Sequence, residues 1–189
     1  MLVYHFVNKK YACSNIDNNQ LKIATIDDLN DPYEFYVNFA NSGELLNEQT
    51  SESIKSHYSG IMGLLCFSER WNNPVLWAHY GDKHKGICME FDIPDKFLLK
   101  VEYKQELAIV EGNDRDWRNK FVQATKTKYE HWSYEEEYRI CFKLSSTEVL
   151  CRDGLFFIPF SSKLALQRVF LGLRCELSET ERQKLEQRQ

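Results

Sequence analysis

Apolar and polar positions along the chain change period several times, and each change marks an element. Leu2–Val7 is a short extended run that predicts a strand, with a weak helix after it, and Leu21–Thr25 predicts a second strand. Asp27-Asp28-Leu29-Asn30-Asp31-Pro32 is turn chemistry: Asn and Asp side chains bond nearby backbone groups, and Pro32 turns Asp31 away from helix. Helix is predicted from Ser51, a cap residue, to about Tyr58, and the compact apolar stretch Ile61–Ser68 predicts a buried strand. Asn73-Pro74 then opens a short helix that Gly81 ends. Gly86–Asp92 alternates through Ile87, Met89 and Phe91, and Val101–Val110 suggests further strand. Asp114 to about Glu130 is expected to be the longest helix, with Trp117, Phe121, Ala124 and Thr125 on one face. Tyr138–Leu144, Phe156–Phe160 and Val169–Leu173 predict three more strands. Ser178-Glu179-Thr180-Glu181 is a capping-box pattern opening a polar helix.

Strands outnumber helices and come in groups, which predicts an α+β fold with a mixed or mostly antiparallel sheet. No repeat or linker divides the 189 residues, so one domain over 1–175 is expected, followed by a polar helical tail over 176–189. A net charge of −4 argues against a protein that coats DNA, which needs Lys and Arg to neutralise phosphates. The densest basic stretch, Arg115, Arg118, Lys120, Lys126 and Lys128, is diluted by Asp114, Asp116 and Glu130. No two of the six cysteines lie within three residues of each other, so zinc-knuckle spacing is absent. Cys66, Cys88, Cys141 and Cys151 sit among apolar neighbours and are expected to be reduced and buried. No signal-peptide pattern or run of roughly 18 apolar residues is visible, so a cytoplasmic protein with no membrane partner is expected.

Dinucleotide, P-loop and nucleophile-elbow motifs are all absent. Three other segments remain as candidates for chemistry. Leu29–Glu34 is either a capped turn or a pocket-lining loop that directs Asn30 or Glu34 at a ligand. Trp77–Gly86 holds His79 and His84 at a spacing of five, which no single helical face presents as a ligand pair, so no metal is expected there. The same segment reads either as packing or as an aromatic platform built on Trp77 and Tyr80. In Trp132–Ile140, alternation along an extended chain puts Glu135, Glu137 and Arg139 on one face. That set reads as a site or as a solvated charge run. Glu90 and Asp92, also sharing a strand face, leave a metal-dependent nuclease as a further alternative.

In combination, Leu29–Glu34 (LNDPxE), Cys66–Glu69 (CFSE), Leu76–Asp92 (LWAHYGDxHKGICMEFD), Trp132–Ile140 (WSYEEEYRI) and Phe170–Leu173 (FLGL) resemble a widespread bacterial family known only as a domain of unknown function. The opening Tyr4-His5-Phe6 and the strand Leu21–Ile26 resemble the start of ADP-ribosyltransferase-type folds. That second resemblance implies NAD as substrate for a transferase or glycohydrolase, with a protein or nucleic-acid acceptor and a setting in stress or phage defence. It implies His5 on the ribose, Tyr80 or alternatively Ser68 as the central element, and Glu137 as the catalytic carboxylate. Glu135 would then hold or deprotonate the acceptor, Arg139 would pair with pyrophosphate, and Trp77, Tyr80 or Trp132 would stack on nicotinamide or adenine. The non-enzymatic alternative is a nucleotide- or protein-binding module.

Overall fold

A computed structural model describes residues 1–31, 33–35, 37–39, 52–106, 108–110 and 117–186. In chain order it contains β1 (Leu2–Val7), α1 (Lys9–Asp17), β2 (Gln20–Thr25), β3 (Val37–Phe39), α2 (52–58), β4 (Met62–Ser68), α3 (Pro74–His79) and β5 (Ile87–Asp92). There follow β6 (Leu99–Lys100), β7 (Glu102–Lys104), β8 (Ala108–Val110), α4 (Trp117–Lys126), β9 (Thr127–Tyr129) and β10 (Glu137–Lys143). The last elements are β11 (Leu150–Arg152), β12 (Leu155–Pro159), β13 (Ala165–Leu171) and α5 (Glu179–Glu186). Among the described residues nine strands form one antiparallel sheet in the order β11-β12-β2-β4-β1-β5-β13, with β10 on β4 and β6 on β10. The pairs β3–β8 and β7–β9 are parallel. The fold is α+β, as the grouping of strands predicts.

Local chemistry explains several boundaries. Asn73 Oδ1 accepts from the Val75 N–H at 2.9 Å and Pro74 occupies the first helical turn, so α3 starts where the cap pattern predicts. The Ser178/Glu181 capping box opens α5: Glu181 accepts from the Ser178 N–H at 2.8 Å and donates its own N–H to Ser178 Oγ at 3.3 Å. Asp31 Oδ1 accepts from the Tyr33 N–H, the expected Asx turn, whereas Pro32 and Ser51 lie outside the described residues.

Two expectations are corrected. Val101–Val110 is not one strand: Val101 is buried and donates its N–H to the Glu137 carbonyl, separating β6 from β7. The long helix ends at Lys126, because Thr125 and Thr127 turn their hydroxyls back onto the Phe121 and Gln123 carbonyls and the chain becomes β9. The expected start of that helix, Asp114–Asp116, and the side chain of Trp117 lie outside the described residues. All six cysteines are free; of the four expected to be buried, Cys88 is, Cys66 and Cys141 are half-buried, and Cys151 is exposed on β11, the outermost strand of its sheet.

The sheet carries a core on each face. One contains Val3, Leu65, Phe67, Met89 and Phe91 under α1, with Leu185 of α5 packed into it. The other contains Leu64, Phe35, Ile54, Phe121 and Ala124, under α2 and α4. Strand β4 is the branch point. On one side it pairs with β10 along its whole length, from Met62 to Ser68. On its other side it meets β2 only at Gly63 and Leu64, and β1 only at Ser68. Between these contacts β1 and β4 part, and His5 Nδ1 reaches the Cys66 carbonyl at 2.9 Å.

Candidate functional site

A cavity of about 130 Å³ opens over this split. Tyr4, His5 and Phe6 of β1 and Cys66, Phe67 and Ser68 of β4 form one wall. Leu29, Asn30 and Glu34 of the turn after β2, with Leu76 and Tyr80 of the α3 end, form a second. Lys128, Glu135, Glu137 and Arg139 complete it. The cavity therefore brings together His5, Asn30, Glu34, Ser68, Tyr80, Glu135, Glu137 and Arg139, all singled out from sequence, but neither Trp77 nor Trp132.

Trp77 lies behind the wall. Its buried ring packs edge-on against Phe6 at 5.1 Å and flat against His84, and its N–H is donated to the Trp71 carbonyl at 2.7 Å. Trp77 is thus a support for the wall and not a stacking surface within it. Trp132 also differs from expectation, since its ring face lies 4.9 Å from the Lys128 ammonium.

The polar groups of the cavity form one continuous network. Asn30 Nδ2 donates to the Tyr80 hydroxyl at 2.9 Å, and Tyr80 donates to Glu135 Oε1. Lys128 donates to Glu135 at 2.6 Å and to Glu137 Oε2 at 3.3 Å. Arg139 holds both oxygens of Glu137, through Nε at 2.8 Å and Nη2 at 2.9 Å, and its Nη1 donates to the Thr125 carbonyl at 2.9 Å. Glu34 closes the ring, with Oε1 2.5 Å from Arg139 Nη2 and Oε2 3.7 Å from Lys128. Glu34 Oε1 is fully buried against the Arg139 guanidinium and, among the described residues, meets it as an ion pair.

Among the described residues this network joins three carboxylates to two cations, every one of them at most 6% exposed. Burial at this level is tolerated only because each charge is paired and hydrogen-bonded. The carboxylates differ in character. Burial works to raise the Glu137 pKa, but Arg139 and Lys128 override it and hold the carboxyl at about 2, an anion at every ordinary pH. Glu135 moves the other way: burial, reinforced by the Glu137 charge, outweighs Lys128 and the Tyr80 bond and raises its pKa. Burial also pushes the Tyr80 phenol well up, so it stays neutral and donates. The His5 pKa is lowered by burial, and because a carbonyl only accepts, its proton sits on Nδ1 and leaves Nε2 an acceptor.

Glu135 reaches the site by a route the alternation argument did not contain. It ends a 3-10 helix, Glu130–Glu135, and Glu136 in the left-handed region (φ 44°) turns the chain before β10 begins. Glu137 and Arg139 do share a strand face, as predicted. Arg139, however, is corrected as a pyrophosphate contact, because it is 1% exposed and wholly engaged with Glu137, Glu34 and Thr125.

Lys128, at the centre of the network, was read in the sequence only as part of a basic stretch. Its place depends on the parallel pairing of β9 with β7, which sets Lys128 opposite Tyr103. Tyr103 in turn accepts the Glu137 N–H at 2.8 Å. Glu90 and Asp92, the alternative nuclease pair, are engaged by cations: Arg168 holds both Glu90 oxygens at 2.7 and 2.8 Å, and the Met1 α-amino group meets Asp92 at 3.1 Å.

No known family, curated protein or solved structure matches this chain. Among the described residues no helix is long and apolar enough to cross a membrane.

Proposed function

We propose that the cavity cleaves the nicotinamide–ribose bond of NAD, as an ADP-ribosyltransferase or NAD glycohydrolase. The observation that carries this reading is the meeting of His5, Tyr80, Glu135 and Glu137 in one cavity over a parted sheet, from segments up to 132 positions apart. Breaking the C1′–N bond sends its electron pair to nicotinamide, which leaves neutral, while positive charge builds on the ribose C1′ and ring oxygen. A fixed, permanently ionised Glu137 stabilises that charge, and a carboxylate already held in place needs no reorganisation as the charge develops. His5 Nε2 is the acceptor for a ribose hydroxyl. The new bond forms between C1′ and an acceptor oxygen, from water or from a protein or nucleic-acid group. Glu135, with its raised pKa, takes the acceptor's proton and passes it to solvent.

Purified protein mixed with NAD is expected to release nicotinamide, measurable by chromatography. E137Q is expected to lower the rate by about 100-fold or more, the scale of a lost transition-state electrostatic contact. E135Q keeps the Tyr80 bond and is expected to lower the turnover rate while leaving NAD binding near that of the native chain. An E137Q protein as fast as the native one, or a native protein that neither binds nor consumes NAD, overturns the reading.

One observation favours a second reading. Both Glu137 oxygens are already occupied by cations, which suits a rigid binding site as well as a catalytic one. A nucleotide-binding module without turnover would be stabilised thermally by NAD and would produce no nicotinamide.

A further inference from the structure

The strand register lays a row of side chains across the sheet away from the cavity. Glu137 is opposite Ser68, Ser68 opposite Tyr4, Tyr4 opposite Glu90, and Glu90 opposite Arg168. Directly paired residues share a face, so all five project on the cavity side. Four strand intervals separate the ends, a reach of about 19 Å at ~4.8 Å per interval, comparable with two linked nucleotides.

At the far end lies a surface the cleavage chemistry does not use. Arg168 clamps the buried Glu90 with both nitrogens yet keeps 61% of its side chain exposed. Its guanidinium lies 5.7 Å from the Phe170 ring centre. The indole of Trp71 lies flat on Phe170, 4.6 Å away and 9° from parallel, and remains 41% exposed. Tyr4 joins this surface to the cavity, lining the one and touching Phe170 edge-on at 6.1 Å. The large flat ring of Trp71, with Phe170 stacked on it and solvent access, offers a sequence-tolerant platform for a nucleobase. Glu90 fixes the Arg168 fork without covering it, which leaves donors for a phosphate.

We propose that Trp71, Phe170 and Arg168 form a second subsite that takes the adenine and a phosphate of the nucleotide whose nicotinamide end enters the cavity. The orientation rests on the reading of the cavity as an NAD-cleaving site. Arg168 thereby supplies the phosphate contact that buried Arg139 does not.

Titration calorimetry with ADP, which lacks the nicotinamide half, and with adenosine, which lacks phosphate, tests the two parts of the subsite. ADP and adenosine are expected to bind the full-length native protein, and W71A is expected to weaken both by roughly tenfold or more, the scale of one lost base-stacking contact. R168Q keeps donors for Glu90 but removes the charge, so it is expected to weaken ADP several-fold and leave adenosine unchanged. No ADP binding by the native chain, or equal ADP affinity in W71A, overturns the subsite. If W71A does not fold, the R168Q arm decides, and unchanged ADP affinity there overturns it. Trp71-dependent ADP binding without nicotinamide release removes the cleavage reading and leaves the subsite standing. Nicotinamide release with ADP affinity indifferent to Trp71 does the reverse.

Discussion

Glu135 and Glu137 are two positions apart, bond the same lysine and titrate in opposite directions. The difference lies in their partners. Glu137 has Arg139 in a two-point grip as well as Lys128, whereas Glu135 has Lys128 and a neutral phenol. A carboxyl held at about 2 in the folded chain, against an ordinary 4.5, adds stability that is complete above the ordinary value. That stability is lost as pH falls from roughly 4.5 towards 2. Urea denaturation across this window is expected to show a steep acid loss in the native protein and a shallower one in E137Q, which has no carboxyl to titrate there. Equal slopes would mean that Glu137 is not the anion described. His5 adds to the acid sensitivity higher up, because its lowered pKa makes the folded state resist protonation below the ordinary histidine range.

Helix α3 is short, yet it places Tyr80 at its last turn and is tied to the 3-10 helix that ends in Glu135. Asn73 Nδ2 donates to the Tyr134 carbonyl at 2.8 Å, and His79 Nδ1 meets the Tyr134 hydroxyl at 3.1 Å. One residue thus caps the helix and docks it. Asn73→Ala is expected to cost about 1–2 kcal/mol, a cap's usual contribution plus a hydrogen bond. Thermal unfolding reads that cost, and a melting point unchanged within a degree would deny Asn73 both roles. The loop after α3 turns through Asp82, Lys83 and His84, all at positive φ, and returns through Gly86. A Cβ on Gly86 would sit 2.4 Å from the Val7 carbonyl oxygen, so only glycine admits this approach of the loop to β1.

Elements of this kind were legible because their signals are local: a cap, a proline, a stop residue or an alternation within a few positions. The cavity was legible in part for the same reason. Glu137 and Arg139 are neighbours on a strand face, and Asn30 and Glu34 stood out in an unusual turn. Lys128 was not legible, because in sequence it is one of several cations between Arg115 and Lys128 and nothing local distinguishes it from the others; parallel pairing of β9 with β7 puts it there. Trp77 misled because an aromatic between polar residues reads alike whether it faces a ligand or supports the wall behind it.

At the scale of the whole molecule, the buried ions tie the turn after β2, the end of α3, β9, the 3-10 helix and β10 to one another. Such a lattice is specified mutually, and removal of one cation leaves carboxylates buried without compensation. Arg139→Met is expected to destabilise the fold by about 3–5 kcal/mol, the range for breaking a buried pair. For a chain of this size that lowers the melting temperature by roughly 6–20 °C. Lys163→Ala, which removes an exposed pair with Glu148, is the control and is expected to change stability by less than about 1 kcal/mol. If the two variants unfold alike, the network is not the strut described.

The uneven count of charges in the cavity has a consequence for traffic through it. With the five network groups described above ionised, one negative charge is left over among them, and a low-dielectric enclosure lets a ligand feel it strongly. In the proposed reaction the ring that enters carries a positive charge and the ring that leaves carries none. The attraction that seats the substrate's nicotinamide is therefore cancelled by the bond cleavage itself. Free nicotinamide is accordingly expected to be a poor inhibitor compared with its positively charged N-methyl derivative.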